Sequence, residues 1–216
     1  MHMKKSYAVF GLGRYGKAVA TELVKSGADV LAVDIDQSIV NTAAAEIPYC
    51  KCADITDPEV IKQLGISNMD VVVISMANNL EASVMAVMLC KEAGVGTVIT
   101  KCGSEMHKKI LSRIGADKVV FPENESGTRL AKNLLSAGFV DVIELDNDIS
   151  LIELDVKPDW VGKTLMELNL RRRYAVNVVA IRQAGHLDIN VDPTVKLSQS
   201  MQLVVITHTS KLGKLK

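Results

Sequence analysis

From Ser6 to about Phe121, short apolar and β-branched runs alternate with longer stretches whose apolar positions recur at helical spacing. The short runs occupy residues 7–10, 30–33, 49–52, 71–74, 97–100 and 118–121. Most are apolar almost without interruption, which is how a strand reads when both faces of its sheet are covered. Between them the pattern predicts helices over residues 16–25, 37–45, 58–64, 80–93, 105–114 and 126–137. Asp57 is placed to cap a helix with Pro58 at its first position, and Gly27, Gly65, Gly94 and Gly138 each follow a helical stretch. The rhythm implies βαβ units around a parallel sheet, an α/β fold of the Rossmann-like, doubly wound kind.

Beyond Gly138 the texture changes, because 11 of the 14 glycines lie at or before that position and the βαβ rhythm stops. Residues 140–145, 150–156, 176–181 and 201–207 read as strands around one helix, 164–168, punctuated by Pro158, Gly162, Gly185 and Pro193. The expected division is therefore a nucleotide-binding domain over residues 1–138 and a small α+β domain over 139–216. A domain of that size often completes its core with a partner.

Composition narrows the function. The chain has 216 residues, is 48% hydrophobic, and carries 25 Lys+Arg against 25 Asp+Glu. The balance is even along its length: 15 against 15 up to residue 140, then 10 against 10. Nucleic-acid binding needs a cationic surplus, so a nucleic-acid partner is not expected. No apolar run approaches the ~20 residues of a membrane-crossing helix. The start Met1-His2-Met3-Lys4-Lys5 shows no signal-peptide pattern, so the expected location is the cytoplasm, with Cys50, Cys52, Cys90 and Cys102 reduced.

The chemistry is concentrated after the first strand, which runs into Gly11-Leu12-Gly13-Arg14-Tyr15-Gly16 and then a helix. In such a loop the first glycine permits the turn, the second lets the backbone approach a pyrophosphate, and the third allows close helix–strand packing. Asp34 ends the next strand, where a carboxylate accepts hydrogen bonds from ribose hydroxyls and repels a 2′-phosphate. NAD-like or adenosine nucleotides, which lack a 2′-phosphate, are therefore expected over NADP. Asp36 reads as a helix cap. Asp54 is placed either to touch the adenine edge or to cap the turn before Thr56-Asp57. The run Ser75-Met76-Ala77-Asn78-Asn79 follows the fourth strand and should border the nucleotide, with Asn79 capping the next helix.

Enzymatic signatures are missing from the pattern. The fourth residues after Tyr7, Tyr15, Tyr49 and Tyr174 are Gly11, Val19, Ala53 and Val178, so the Tyr-x-x-x-Lys spacing of short-chain reductases does not occur. His107 precedes two lysines and reads as solvated surface. Cys50-x-Cys52 lacks a second pair of metal ligands and reads as buried packing. No Walker loop is present to hydrolyse a triphosphate. Two alternatives stay open: a small NAD-dependent oxidoreductase, and a redox sensor using Cys50 and Cys52 beside NAD(H).

Taken together, the glycine loop, the 31–36 strand end, Ile114-Gly115-Ala116-Asp117 with the 119–123 segment, and Ala180-Ile181-Arg182 with residues 193–206 resemble one family. It is that of the cytosolic gating subunits of Ktr/Trk potassium uptake systems, the KtrA/KtrC/TrkA-type RCK proteins, and the likeness spans essentially the whole chain. The resemblance implies a non-catalytic regulatory subunit whose dimers assemble into an octameric ring beneath an integral-membrane potassium channel subunit of KtrB/TrkH type. Such a protein is peripheral to the inner face of the membrane. ATP favours an expanded, conducting state, and ADP or NAD(H) competes for the same cleft.

Carried onto this sequence, the implied nucleotide contacts are Gly11, Leu12, Gly13, Arg14, Tyr15, Gly16, Asp34, Ile35, Asp54, Ala77, Asn78 and Lys101. Asp34 would hold the ribose, and Arg14 would reach the γ-phosphate of a nucleotide in the neighbouring subunit. Glu123 would help bind a divalent or monovalent cation. Cyclic di-AMP, bound by some such subunits between paired C-terminal domains, would meet Arg171 and Asn177; otherwise the run Arg171–Arg173 reads as a solvated turn.

Overall fold

The computed structural model of the protein describes residues 5–135, 139–146 and 148–215. Packing divides the chain into two units, the first ending at Pro122 and the second beginning at Glu123. The expected boundary at Gly138, the helix end at Ala137 and the starting residues Met1–Lys4 lie outside the described residues.

The first unit is built on six strands: β1 (Ser6–Phe10), β2 (Asp29–Asp34), β3 (Tyr49–Cys52), β4 (Val71–Ile74), β5 (Thr97–Lys101) and β6 (Lys118–Val120). All neighbours are parallel and the order is β3-β2-β1-β4-β5-β6. The crossovers are α1 (Arg14–Lys25), α2 (Gln37–Ala43), α3 (Pro58–Gln63), α4 (Leu80–Glu92) and α5 (Glu105–Arg113). This is the expected Rossmann-like sheet. Successive side chains on a strand face opposite ways, so Ala8 and Phe10 enter one apolar cluster while Val9 enters another. In β4, Val72 and Ile74 likewise part from Val73. Two covered faces explain the unbroken apolar runs.

Helix starts follow the capping chemistry. Asp36 Oδ1 accepts the Ser38 amide at 2.7 Å, Asp57 Oδ1 the Glu59 amide at 2.8 Å, and Asn79 Oδ1 the Ala82 amide at 3.0 Å. The last α-helix before the second sheet, α6 (Pro122–Leu135), begins four residues earlier than its apolar pattern indicates. Pro122 at its first position and Glu123 and Glu125 in its first turn are strong starters that hydrophobic spacing alone does not register.

The second unit is an antiparallel sheet of β7 (Phe139–Asp146), β8 (Ile149–Asp155), β9 (Asn177–Gln183), β10 (His186–Asp188) and β11 (Met201–His208), in the order β10-β9-β11-β8-β7. Its single core gathers Ile152, Leu154, Trp160, Leu168, Leu203 and Val205. Outside that core Arg182 on β9 pairs with Glu153 on β8 across the intervening β11. Two features depart from expectation. The strand β10 is folded back by Ala184 and Gly185, both at positive φ, a two-residue hairpin turn that the lone Gly185 only half announces. In place of one helix there are two, α7 (Leu165–Leu168) and α8 (Leu170–Tyr174), separated by Asn169 at φ 44°. The Arg171–Arg173 run is thus helical rather than a turn. It is pinned by Leu170, which is buried, and by Tyr174, whose ring lies 5.9 Å from that of Trp160.

Candidate nucleotide-binding site

The sheet order reverses between β1 and β4, and the carboxyl edge at that divide is where doubly wound sheets hold ligands. At this edge the Ser75 amide donates to the Phe10 carbonyl at 2.7 Å and the Gly11 amide to the Val33 carbonyl at 2.8 Å. The chain is thereby pinned to both neighbours of β1 as it turns into α1. Gly11 has φ +84°, and a Cβ there would meet Met76 Cγ at 2.9 Å. At Gly16 a Cβ would lie 1.9 Å from the Gly11 carbonyl oxygen, so α1 can approach β1 this closely only as glycine. Gly13 is different: nothing lies within 4 Å of the place its Cβ would occupy. It heads α1 with no side-chain cap and no acidic residue in the first turn, leaving the opening amides for an outside acceptor. Amides left free at a helix start are donors for an anionic group such as a pyrophosphate.

Asp34 faces the same loop. Its Oδ2 accepts the Leu12 amide at 2.6 Å and its Oδ1 the Asp36 amide at 3.0 Å, and each oxygen keeps a lone pair for a ribose hydroxyl. Ile35, next along, is 68% exposed, an apolar surface of the kind a base can cover. The Ala53 amide donates to the Asp34 carbonyl at 3.0 Å, which brings Asp54 to this edge. Asp54 itself caps the following turn: its Oδ1 accepts the Thr56 hydroxyl at 2.7 Å and the Thr56 amide at 2.9 Å. Those bonds, the hydroxyl's foremost, hold its carboxyl below the usual value.

Ala77, half-buried, and Asn78, exposed, lie in the turn after β4. A Cβ on Gly103 would come within 3.2 Å of the Ala77 carbonyl oxygen, so the turn after β5 closes on the turn after β4. This approach is missed by the sequence pattern, although a glycine two residues after a strand end is its signal. Lys101 ends β5 with its Nζ 5.7 Å from the centroid of the Tyr15 ring. Arg14, the first residue of α1, is exposed. One edge therefore collects the glycine loop, Asp34, Ile35, Asp54, Ala77, Asn78 and Lys101.

Residues 7–122 match the TrkA-N domain and residues 149–216 the TrkA-C domain. Over 212 residues the chain is 35% identical to Ktr system potassium uptake protein C of Bacillus subtilis (strain 168), covering 98% of this chain and 96% of that one. The chain belongs to the TrkA-type family of Ktr potassium-uptake RCK proteins. It is also 30% identical over 210 residues to Ktr system potassium uptake protein A of the same organism, covering 97% and 95%. The crystal structure of the GsuK RCK domain shares its fold, with a TM-score of 0.65 at 17% identity over 99% of this chain and 47% of that one. The chain thus spans about half of that solved RCK protein.

In this TrkA-type chain the remaining expected residues belong to the second unit. Glu123 is exposed in the first turn of α6. Arg171 and Asn177, from α8 and the start of β9, line one cavity of about 340 Å³ together with Asn169, Met166, Val191 and Pro193. Among the described residues no three His, Cys, Asp or Glu side chains are grouped to hold a metal, and no helix is long and apolar enough to cross a membrane. His107 is half-buried rather than solvated. All four cysteines are free. Cys52 is exposed, against the expected buried packing, because β3 is an edge strand.

Proposed function

We propose that this protein is the cytosolic nucleotide-sensing subunit of a potassium uptake system, a regulator and not an enzyme. The observation that carries the reading is the glycine loop with Asp34: a turn and a close helix approach that need glycine at Gly11 and Gly16, beside a carboxylate already locked by the loop's own Leu12 amide. In this reading the Gly11–Gly16 backbone binds the diphosphate, Asp34 the ribose, and Ile35, Ala77 and Asn78 border the nucleoside. Lys101, whose ammonium stands by the Tyr15 ring at the end of the loop, adds positive charge on the phosphate side.

The ligands are ATP and ADP, with NAD(H) competing. Arg14, exposed on the first turn of α1, extends to the γ-phosphate of a nucleotide in a neighbouring subunit, where a guanidinium offers paired donors. A nucleotide one phosphate longer then ties two subunits together where a shorter one does not. Glu123 supports a divalent or monovalent cation that offsets the clustered negative charge. The subunits form dimers that assemble into an octameric ring against an integral-membrane potassium channel subunit of KtrB/TrkH type, at the inner face of the membrane. The cavity shared by Arg171 and Asn177 supports their assignment to cyclic di-AMP, with phosphate and base contacts respectively.

A ligand shifts such a ring only by its difference in affinity between two shapes, typically about 1–3 kcal/mol per site. The test is titration of the full-length protein with ATP, ADP, NADH and cyclic di-AMP while its mass in solution is measured. Adenine nucleotides should bind an assembly larger than a dimer. Arg14→Ala should narrow the difference between ATP and ADP while leaving ADP affinity nearly intact. Equal losses for both ligands would contradict the γ-phosphate role.

A further inference from the structure

We infer that the contact between Tyr15 and Lys101 sets the cleft's preference for a mononucleotide over a dinucleotide. This rests on the nucleotide reading of the glycine loop. Tyr15 is the second residue of α1 and Lys101 the last of β5; both are half-buried, and the ammonium stands 5.7 Å from the ring centroid, within the range of a cation–π attraction. They reach each other from opposite sides of β4, since α1 follows β1 and the sheet order runs β1-β4-β5. The turn after β4 is flanked by glycines of the same two segments: Gly16 abuts Ser75 and Gly103 abuts Ala77. The ring and the ammonium therefore bridge the crevice on its β4–β5 side.

A doubly wound sheet divides a dinucleotide at the switch point. One nucleoside lies on the β2 side, where an acidic residue meets its ribose, and the second lies across β1 on the β4–β5 side. Asp34 and exposed Ile35 mark the first half here. A nucleoside di- or triphosphate uses that half, the glycine loop and the turn after β4, none of which requires the Tyr15–Lys101 contact to open. A dinucleotide puts its second nucleoside where ring and ammonium meet and must part them. The cost falls on the dinucleotide alone, and specificity is such a difference.

ADP and NADH share adenosine and a diphosphate, so loss of any phosphate contact at Lys101 cancels in the ratio of their affinities. The experiment measures both dissociation constants by titration calorimetry on the full-length protein and on Tyr15→Phe, Tyr15→Leu, Lys101→Met and the double variant Tyr15→Leu/Lys101→Met. Removing either partner should shift the ratio toward NADH by about two- to fivefold, the strength of an exposed cation–π contact. Tyr15→Phe, which keeps the ring, should hold the parent ratio. The double variant should move no further than either single, because both break the same contact. Should Tyr15→Leu fail to fold, Lys101→Met and Tyr15→Phe decide the matter. An unchanged ratio in Lys101→Met, or a Tyr15→Phe ratio that moves with Tyr15→Leu, overturns this inference while leaving the nucleotide reading intact. A wild-type protein that binds neither ligand overturns that reading, and this inference with it.

Discussion

The two units place their chemistry differently. In the first, a parallel sheet is covered on both faces, so its ligand edge lies where strands end and glycines let loops cross at close quarters. In the second, one apolar core fills one side of an antiparallel sheet, and the cavity arises where two short helices break at Asn169. An edge built from a glycine loop is tied to sequence spacing. A cavity built from a helix break is tied to packing, and substitutions should act on the two units in correspondingly different ways.

The largest effect that would break this contrast lies at Trp160, buried in the second core with Lys157 Nζ 5.3 Å above its ring. Trp160→Ala should cost about 3–5 kcal/mol. Hydrogen exchange should show protection falling in β8 and β11 while β1 and β4 stay protected and ADP still binds. Next is Gly16→Ala, whose methyl group has no room beside the Gly11 carbonyl. It should cost about 3 kcal/mol and abolish nucleotide binding, with the second unit's exchange pattern unchanged.

A smaller effect concerns Asp117, which joins β5 to the start of β6. Its Oδ2 accepts the Val98 amide at 2.7 Å and lies 3.0 Å from Lys91 Nζ. The Val98 amide, chiefly, and then Lys91 hold its carboxyl below the usual value. A lowered carboxyl contributes stability above its unfolded value, and that stability is lost as pH falls through the folded one. Asp117→Asn should therefore cost about 1 kcal/mol at pH 7, a modest figure because the side chain is partly exposed. Denaturant midpoints of variant and parent should converge below about pH 4. A constant gap down to pH 2 would show that the charge is not what Asp117 contributes.

The first unit's legibility follows from the same contrast. Gly11, Gly16 and Asp34 are legible in the sequence because each is required by backbone geometry or by a ribose at a fixed spacing, and Gly13 because it completes the spacing of the loop. The Asp36, Asp57 and Asn79 caps are legible for a similar local reason. The closeness of Gly103 to Ala77, the Tyr15–Lys101 contact and the exposure of Cys52 depend on which strands are neighbours and which is the edge, and one strand's residues do not carry that information. In the second unit α8 and β10 escape the pattern because five and three residues are too few to establish a period, and the turn at Ala184-Gly185 uses a non-glycine at positive φ. Arg171 and Asn177 are reached only through family resemblance, since no local rule joins a helix arginine to an asparagine opening the next strand.

The central claim is that phosphate number at one edge is converted into the shape of an assembly. Small-angle X-ray scattering of the full-length protein, saturated in turn with ATP and with ADP, tests it most directly. Two distinct profiles at the same assembly mass, with the difference removed by Arg14→Ala, are the predicted result. Superimposable profiles from protein that calorimetry shows to be fully bound by each nucleotide would contradict it.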